Sequence, residues 1–310
     1  MSAPAFLRRR WRPPGPYDLR RSLRVLQCGP KDPAYRVVGG ALWRASRTPL
    51  GPGAVRLATD GDEVAAEAWG PGADWLLDTL PALLGAEDEA SATAFAPHHR
   101  VVARGWKRHP GIRLVRTGRM LESLIPAILG QKVTTDEAFR AWQLLLRWHG
   151  EPAPGPAAAL HMYVMPDARG WATIPSWDWH RAGVDHKRSG TVVRAAQVAH
   201  RLEEAAALAP EAAAARLQTV SGIGQWTAAE AIQRALGAPD AVTIGDLHLP
   251  RIVGYSLTGE RDADDARMLE LLEPYAAQGQ RHRATRYITL AGAMPPRRQP
   301  KRQIWDIAQL

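Results

Sequence analysis

Apolar positions in the first seventy residues recur in short runs cut by glycine and proline. Leu23–Cys28, Tyr35–Val38, Ala41–Ala45, Ala54–Thr59 and Glu63–Ala68 each have the length and composition of a strand. Together they predict a small antiparallel sheet. Asp60-Gly61-Asp62 lies between the last two runs and suits either a hairpin turn or a solvated loop tip. Residues 1–20, rich in Arg and Pro, read as irregular. Trp75 through Leu84 reads as a short helix that packs on the sheet, which gives a mixed α/β N-terminal domain over residues 1–95. The acidic, small-residue stretch Ala86 to Ala96 reads as a linker.

From there the spacing becomes helical. Leu121, Leu124, Ile125, Ile128 and Leu129 lie on one helical face, and Phe139, Trp142, Leu145 and Leu146 do so again after a break at Gly130. Thr134 or Thr135 is placed to cap the second helix, with Glu137 in its first turn. Residues 151–180, rich in Pro and Trp, are expected to be irregular with one short helix. Thr191–Leu208 reads as a long Ala-rich helix, and Leu247–Leu257, Asp265–Ala277 and Arg283–Ala293 as three more. The expected fold is mainly α with a smaller α+β N-terminal domain: an all-helical domain over residues 96–294 and a basic tail over 295–310, whose Trp305 either docks or stays loose.

Charge narrows the partner. Forty Lys and Arg stand against 31 Asp and Glu, a formal net charge of +9. That balance favours a polyanion, nucleic acid or an anionic membrane surface. No stretch approaches the length of a membrane span, and Arg8-Arg9-Arg10 is followed by Trp11-Arg12-Pro13-Pro14 rather than an apolar signal core, so a cytoplasmic protein is expected. The single cysteine, Cys28, excludes an internal disulfide and any four-cysteine zinc or iron–sulfur site. Its place in an apolar run suggests a buried strand residue. His98, His99 and His109 lie among Arg and Lys and read as basic surface rather than a zinc site.

The most informative stretch is Leu217 to Arg234, which reads as helix, tight turn, helix, with the turn built on Gly222 and Gly224. Two glycines one residue apart allow positive φ and leave amides unshielded, and the following helix directs its positive end to the same place. A phosphate would suit that spot, although a simple helix C-cap gives the same local pattern. Lys187 and Arg188 precede the Ala-rich helix, where basic residues oppose the helix dipole unless an anion is near. Asp246 stands before an apolar helical run, which locally favours an N-cap, and the same carboxylate is a candidate catalytic group, since both roles can coexist.

Val220-Ser-Gly-Ile-Gly-Gln-Trp-Thr-Ala228 resembles the hairpin of the helix-hairpin-helix DNA glycosylase superfamily. Asp246-Leu-His-Leu-Pro-Arg251 resembles that family's Asp-x-His-hydrophobic-x-Arg segment, which carries its catalytic aspartate, and the separation between the two motifs also fits. Ile128-Leu-Gly-Gln131-Lys-Val133 is similar to a third family signature, whose Gln and following residue enter the DNA. Pro16-Tyr17-Asp18 resembles the opening of the alkylation-repair branch, the 3-methyladenine DNA glycosylase II type.

The resemblance implies a helix-hairpin-helix DNA glycosylase architecture with Asp246 as the catalytic residue. It implies a base pocket at Trp226, Glu230, Gln131 and Ala291, with Glu230 and Ala291 where that branch often carries aromatics. Contacts to DNA fall to Gly222, Ile223, Gly224, Gln225 and Thr227 of the hairpin, to Lys132 at the wedge position, and to His248 and Arg251; a DNA phosphate would also supply the anion that Lys187 and Arg188 call for, although a solvated helix end explains them too. Backbone carbonyls of Gln218, Val220 and Ile223 would hold a structural monovalent cation; catalysis would need no cofactor, and no iron–sulfur cluster is expected. Trp226 occupies the position of the lysine that strand-cutting members use as an amine nucleophile, so a monofunctional enzyme is expected. The partner would be double-stranded DNA with damaged bases, the protein a monomer, and the substrate an alkylated purine such as 3-methyladenine. The alternatives are a glycosylase for oxidised or deaminated bases, or a hairpin DNA-binding protein without activity.

Overall fold

Alternating small apolar and charged residues build the N-terminal sheet. In the computed structural model, which describes residues 6–296, β1 (Leu7–Trp11), β2 (Tyr35–Val38), β3 (Ala41–Thr48), β4 (Gly51–Asp60) and β5 (Glu63–Trp69) pair antiparallel in the order β1-β5-β4-β3-β2. Asp60 faces Glu63 across a turn in which Gly61 has φ 62°, so the hairpin alternative holds. One face places Leu42, Val55, Leu57, Val64 and Ala66 against α2 (Ala73–Asp78) and α3 (Leu80–Leu83). The other carries Trp43 and Trp69, stacked at 5.4 Å.

Two expectations for this region fail. Leu23–Cys28 is not a strand: the Asp18 carboxylate accepts from the Arg21 amide and starts helix α1 (Leu19–Leu23), which runs into a 3-10 turn over Arg24–Leu26. A side-chain cap outweighs a weak β pattern there. Leu7–Trp11, expected to be irregular, is the edge strand β1, with Arg8 and Arg10 paired to Glu67 and Glu63 on β5. Charged side chains on an exposed edge hide a strand from a hydrophobic pattern.

The Ala86 to Ala96 stretch is also more than a linker. It forms a 3-10 turn and helix α4 (Glu89–Thr93), and its buried Asp88 pairs with Arg283 and accepts from the Leu114 amide. Helix α5 (Arg100–Arg108) follows, with His99 as its N-cap through Nδ1.

The main helical core forms around α6 (Met120–Leu129), in which Met120, Leu124, Ile125, Ile128 and Leu129 are fully buried. Burying each such side chain contributes about 1.5–3 kcal/mol. Helix α7 (Thr135–His149) is started by a capping box in which Thr134 and Glu137 exchange hydrogen bonds, so Thr134 rather than Thr135 is the cap. Thr134→Ala should cost about 1 kcal/mol, read as a lower midpoint in chemical unfolding with the slope unchanged; an unshifted midpoint would show that the box is dispensable.

Residues 151–180 are more ordered than expected. They form a ribbon of β6 (Glu151–Pro152) and β7 (Tyr163–Val164) and two short helices, α8 (Ala168–Ala172) and α9 (Ser176–Arg181). Ala153, Ala157, Met162 and Val164 cover the Trp43–Trp69 face of the sheet, while Trp171 and Trp179 stack in the helical core. The buried indoles supply order that backbone propensity does not.

The long helix expected over Thr191–Leu208 is three pieces: α10 (His186–Gln197), capped by Asp185, then α11 (Ala199–Glu203) after a break at Val198, then a 3-10 turn to Ala207. Helix α12 (Pro210–Gln218) leads into the glycine turn and α13 (Gln225–Ala235) follows it. Ala228, Ala231, Ile232 and Ala235 form the buried stripe of α13 against α6, and alanines there let the two helices approach closely. A separate core joins α5 to α14 (Leu249–Thr258), α15 (Asp265–Ala276) and α16 (Arg281–Ala291) through Val102, Val253, Met268, Leu272 and Tyr287. The chain therefore crosses from one helical core to the other between α13 and α14, and Asp246 lies on that crossing. Of the basic tail, residues 297–310, with Trp305, lie outside the described residues.

Candidate active site

The turn between α12 and α13 is fixed by glycine chemistry. Gly222 has φ 95°, and a Cβ there would lie 2.2 Å from Thr191 Oγ1 on α10, so both backbone sign and space demand glycine. Gly224 is extended, and a Cβ on it would meet nothing within 4 Å. Its missing side chain relieves no clash; it bares the first amides of α13. Gly222, Gly224 and Gln225 are exposed, while Ile223 is buried as the anchor of the turn. The Ile223 amide donates to the Val220 carbonyl, while those of Gly222, Gly224 and Gln225 have no backbone acceptor among the described residues, at the positive end of an eleven-residue helix, a geometry suited to an anion.

Two side chains brace this turn through consecutive carbonyls. Gln131 Nε2 donates to the Gly222 carbonyl at 2.9 Å and to Thr227 Oγ1 at 2.8 Å. Arg194 Nε donates to the Ser221 carbonyl at 3.0 Å and its Nη2 to Thr191 Oγ1. Gln131, expected in a base pocket, is thus engaged with the hairpin. Thr227, expected to touch DNA, is buried with its hydroxyl turned to Gln131.

Asp246 is held at three points. Its Oδ1 accepts from the amides of His248 and Leu249 at 2.7 Å each, and its Oδ2 accepts from Trp226 Nε1 at 2.9 Å. One oxygen therefore serves the start of α14, whose first turn tolerates Pro250. The other is aimed at the first turn of α13. Gly245, at φ 85°, makes the bend before it, and its amide donates to Asp265 Oδ2 of α15. The indole packs beside Gly130 at the end of α6, where a Cβ would sit at an ordinary contact distance of 3.5 Å from Trp226 Cη2. A half-buried carboxylate, an indole and a nest of free amides are thus assembled from α6, α13 and the α13–α14 loop.

Other expected site residues divide. Lys132 is exposed in a left-handed conformation, φ 56°, and Lys187, His248 and Arg251 are exposed too. Arg188 is not available for DNA. Its buried guanidinium pairs with Asp185 and donates to the carbonyls of Leu129 and Gly183, so it closes the end of α6, and Asp185 offsets the charge at the helix start. Ala291 packs away from the hairpin helices. It ends α16 against Gly105 of α5, and the adjoining Gly292 rests on Ser256, about 10 Å along α14 from the Asp246 end at 1.5 Å per residue.

Glu230, one turn beyond Trp226, pairs with Arg234 at 2.9 Å, and Arg234 also donates to the Val25 carbonyl. Arg234 reaches a small cavity of about 40 Å³ that also touches Cys28, Asp32, Arg44 and Glu122, room for two or three waters. Cys28 lies in a loop here rather than in a strand, and burial pushes its thiol pKa up. Burial likewise raises the Asp32 carboxyl to about 6 despite donors from Cys28, Ala34 and Trp142.

Sequence reasoning missed Arg194 and Asp265. Each supports the site through a backbone group far away in the chain, and neither stands in a recognisable motif. The carbonyls named for a monovalent cation lie on the same turn; that of Val220 already accepts from the Ile223 amide and keeps a second lone pair.

No protein-family model matches the sequence, and no curated protein matches it. Solved structures do. A 3-methyladenine DNA glycosylase from Archaeoglobus fulgidus superposes with a TM-score of 0.73 at 17% identity, covering 90% of this chain and 96% of that one. The 8-oxoguanine glycosylase/lyase of Clostridium acetobutylicum, in complex with double-stranded DNA containing cytosine opposite 8-oxoguanine, superposes with a TM-score of 0.67 at 12% identity, covering 88% and 90%. Among the described residues no helix is long and apolar enough to cross a membrane. Nearly the whole chain thus follows one architecture, and its fold is that of the helix-hairpin-helix DNA glycosylases.

Proposed function

We propose that the chain is a monofunctional DNA glycosylase that hydrolyses the N-glycosidic bond of a damaged base flipped out of duplex DNA. The observation that carries this reading is Asp246, whose Oδ2 is fixed by Trp226 Nε1 beside the glycine turn. As the base departs, the sugar gains oxocarbenium character, and a fixed carboxylate stabilises it without reorganising. The same oxygen can orient a water for attack on the anomeric carbon. The amides around Gly222 and Gly224 would grip a phosphate without reading sequence, with Lys187, His248 and Arg251 as further backbone contacts and Lys132 at the wedge. Carbonyls of Gln218, Val220 and Ile223 offer neutral oxygens for a monovalent cation that would bridge turn and phosphate.

Trp226 stands where a strand-cutting enzyme would need an amine, so no Schiff base forms. Incubation with methylated duplex should release free bases and leave abasic strands that break only on added alkali, and borohydride should trap no covalent complex. Breakage without alkali would contradict the monofunctional reading.

The lesion is proposed to be an alkylated purine such as 3-methyladenine, because an indole face attracts an electron-poor, cationic base. A second reading has a specific observation behind it: the Glu230–Arg234 pair cancels the charge that would favour a cation and suits a neutral oxidised or deaminated base. Glu230→Gln separates the two in a lesion panel. If Glu230 holds a cationic base, release of alkylated purines falls about tenfold or more and release of neutral lesions does not. A uniform change across the panel would place Glu230 outside recognition.

A further inference from the structure

Beside the glycine turn lies a groove of about 740 Å³ between α10–α11 and α12. Arg194 and Arg201 stand on one wall, Arg216 and Thr219 on the other, and Ser221 closes it at the hairpin end. Three guanidiniums face a single carboxylate, Glu204, which meets Arg216 at only 3.4 Å with both side chains well exposed. Such a pair neutralises little. Among the described residues the Arg201 guanidinium has no partner, although the Arg201 carbonyl accepts from Arg216. The groove is therefore a positive channel that opens onto the phosphate-gripping turn, joined to it by the Arg194 to Ser221 hydrogen bond.

We infer that this groove carries the phosphodiester backbone of the duplex beyond the phosphate held by the hairpin. The inference rests on the DNA-binding reading of the hairpin and extends the footprint to one side of the lesion. Charge and continuity both favour this occupant: a polyanionic strand leaving the turn meets guanidiniums along the adjoining wall and is held without base readout.

The test uses Arg201→Ala/Arg216→Ala, which spares Arg194 because Arg194 braces the turn, together with Glu204→Gln. Affinity is measured by fluorescence anisotropy across a salt series, on a lesion duplex extended past the hairpin phosphate and on one cut short there. On the long duplex the double variant should bind about tenfold more weakly at 0.1 M salt, and its log–log salt slope should shrink by about 1.8, the value for two lost phosphate contacts. Glu204→Gln should tighten binding about two- to threefold by removing the opposing charge. On the short duplex all three proteins should agree, and excision at saturating DNA should match wild type. If wild type binds and excises while the double variant keeps its affinity and slope on the long duplex, the groove is not a DNA track. A wild-type chain that binds no duplex overturns the hairpin reading, and the groove with it.

Discussion

Asp246→Asn is expected to lower base excision about 10²–10³-fold while duplex affinity stays within about twofold. The two carboxylate oxygens have different tasks. Oδ1 receives the amides of His248 and Leu249, and an asparagine carbonyl oxygen can keep both, so the start of α14 survives. The amide nitrogen then meets Trp226 Nε1, a donor against a donor, and no negative charge remains near the sugar. Asp246→Ala loses the cap as well and should cost about 1 kcal/mol of stability. Single-turnover release of base, with affinity measured alongside, reads both effects. Equal excision by wild type and Asp246→Asn would confine Asp246 to capping, and no release by either would leave a hairpin protein that binds DNA without acting on it.

Gly222→Ala should damage stability and DNA binding together. The new Cβ must adopt a left-handed backbone and occupy space 2.2 Å from Thr191 Oγ1. Thr191 is itself buried and bonded to Lys187 and Arg194, so it cannot yield cheaply. Strain and overpacking together amount to about 3 kcal/mol. The carbonyls bound by Gln131 and Arg194 would shift with the turn, and affinity should fall about tenfold or more. Gly224→Ala is the control, because its Cβ meets nothing and its φ is negative: stability should change by under about 1 kcal/mol while binding still weakens, since a methyl group would crowd the bared amides. Thermal melts and anisotropy on both variants make the comparison; a Gly222→Ala protein as stable as wild type would contradict the packing argument.

The parts of the site legible in the sequence are those that local rules decide. Paired glycines announce a turn, an Asp before an apolar run announces a helix start, and their spacing matches a known architecture. The fold class follows from the same rules, since the period changes from two to about 3.6 after residue 96. What the sequence hides is mostly long-range pairing. Trp226 reads as a stacking surface, yet its N–H steers Asp246. Arg188 reads as a phosphate ligand, yet burial beside the Leu129 carbonyl makes it structural. Asp88 reads as part of a linker, yet it pairs with Arg283 across most of the chain.

The central claim is that Asp246 stabilises positive charge at the sugar, and abasic-site analogues test it without relying on any particular lesion. Affinity is compared for duplexes carrying a cationic pyrrolidine and a neutral tetrahydrofuran at one position, on wild type and on Asp246→Asn. Wild type should prefer the cation by about a hundredfold, and the variant should lose that preference while still binding the neutral analogue. Equal preference in the two proteins would mean that the carboxylate does not face the reacting sugar.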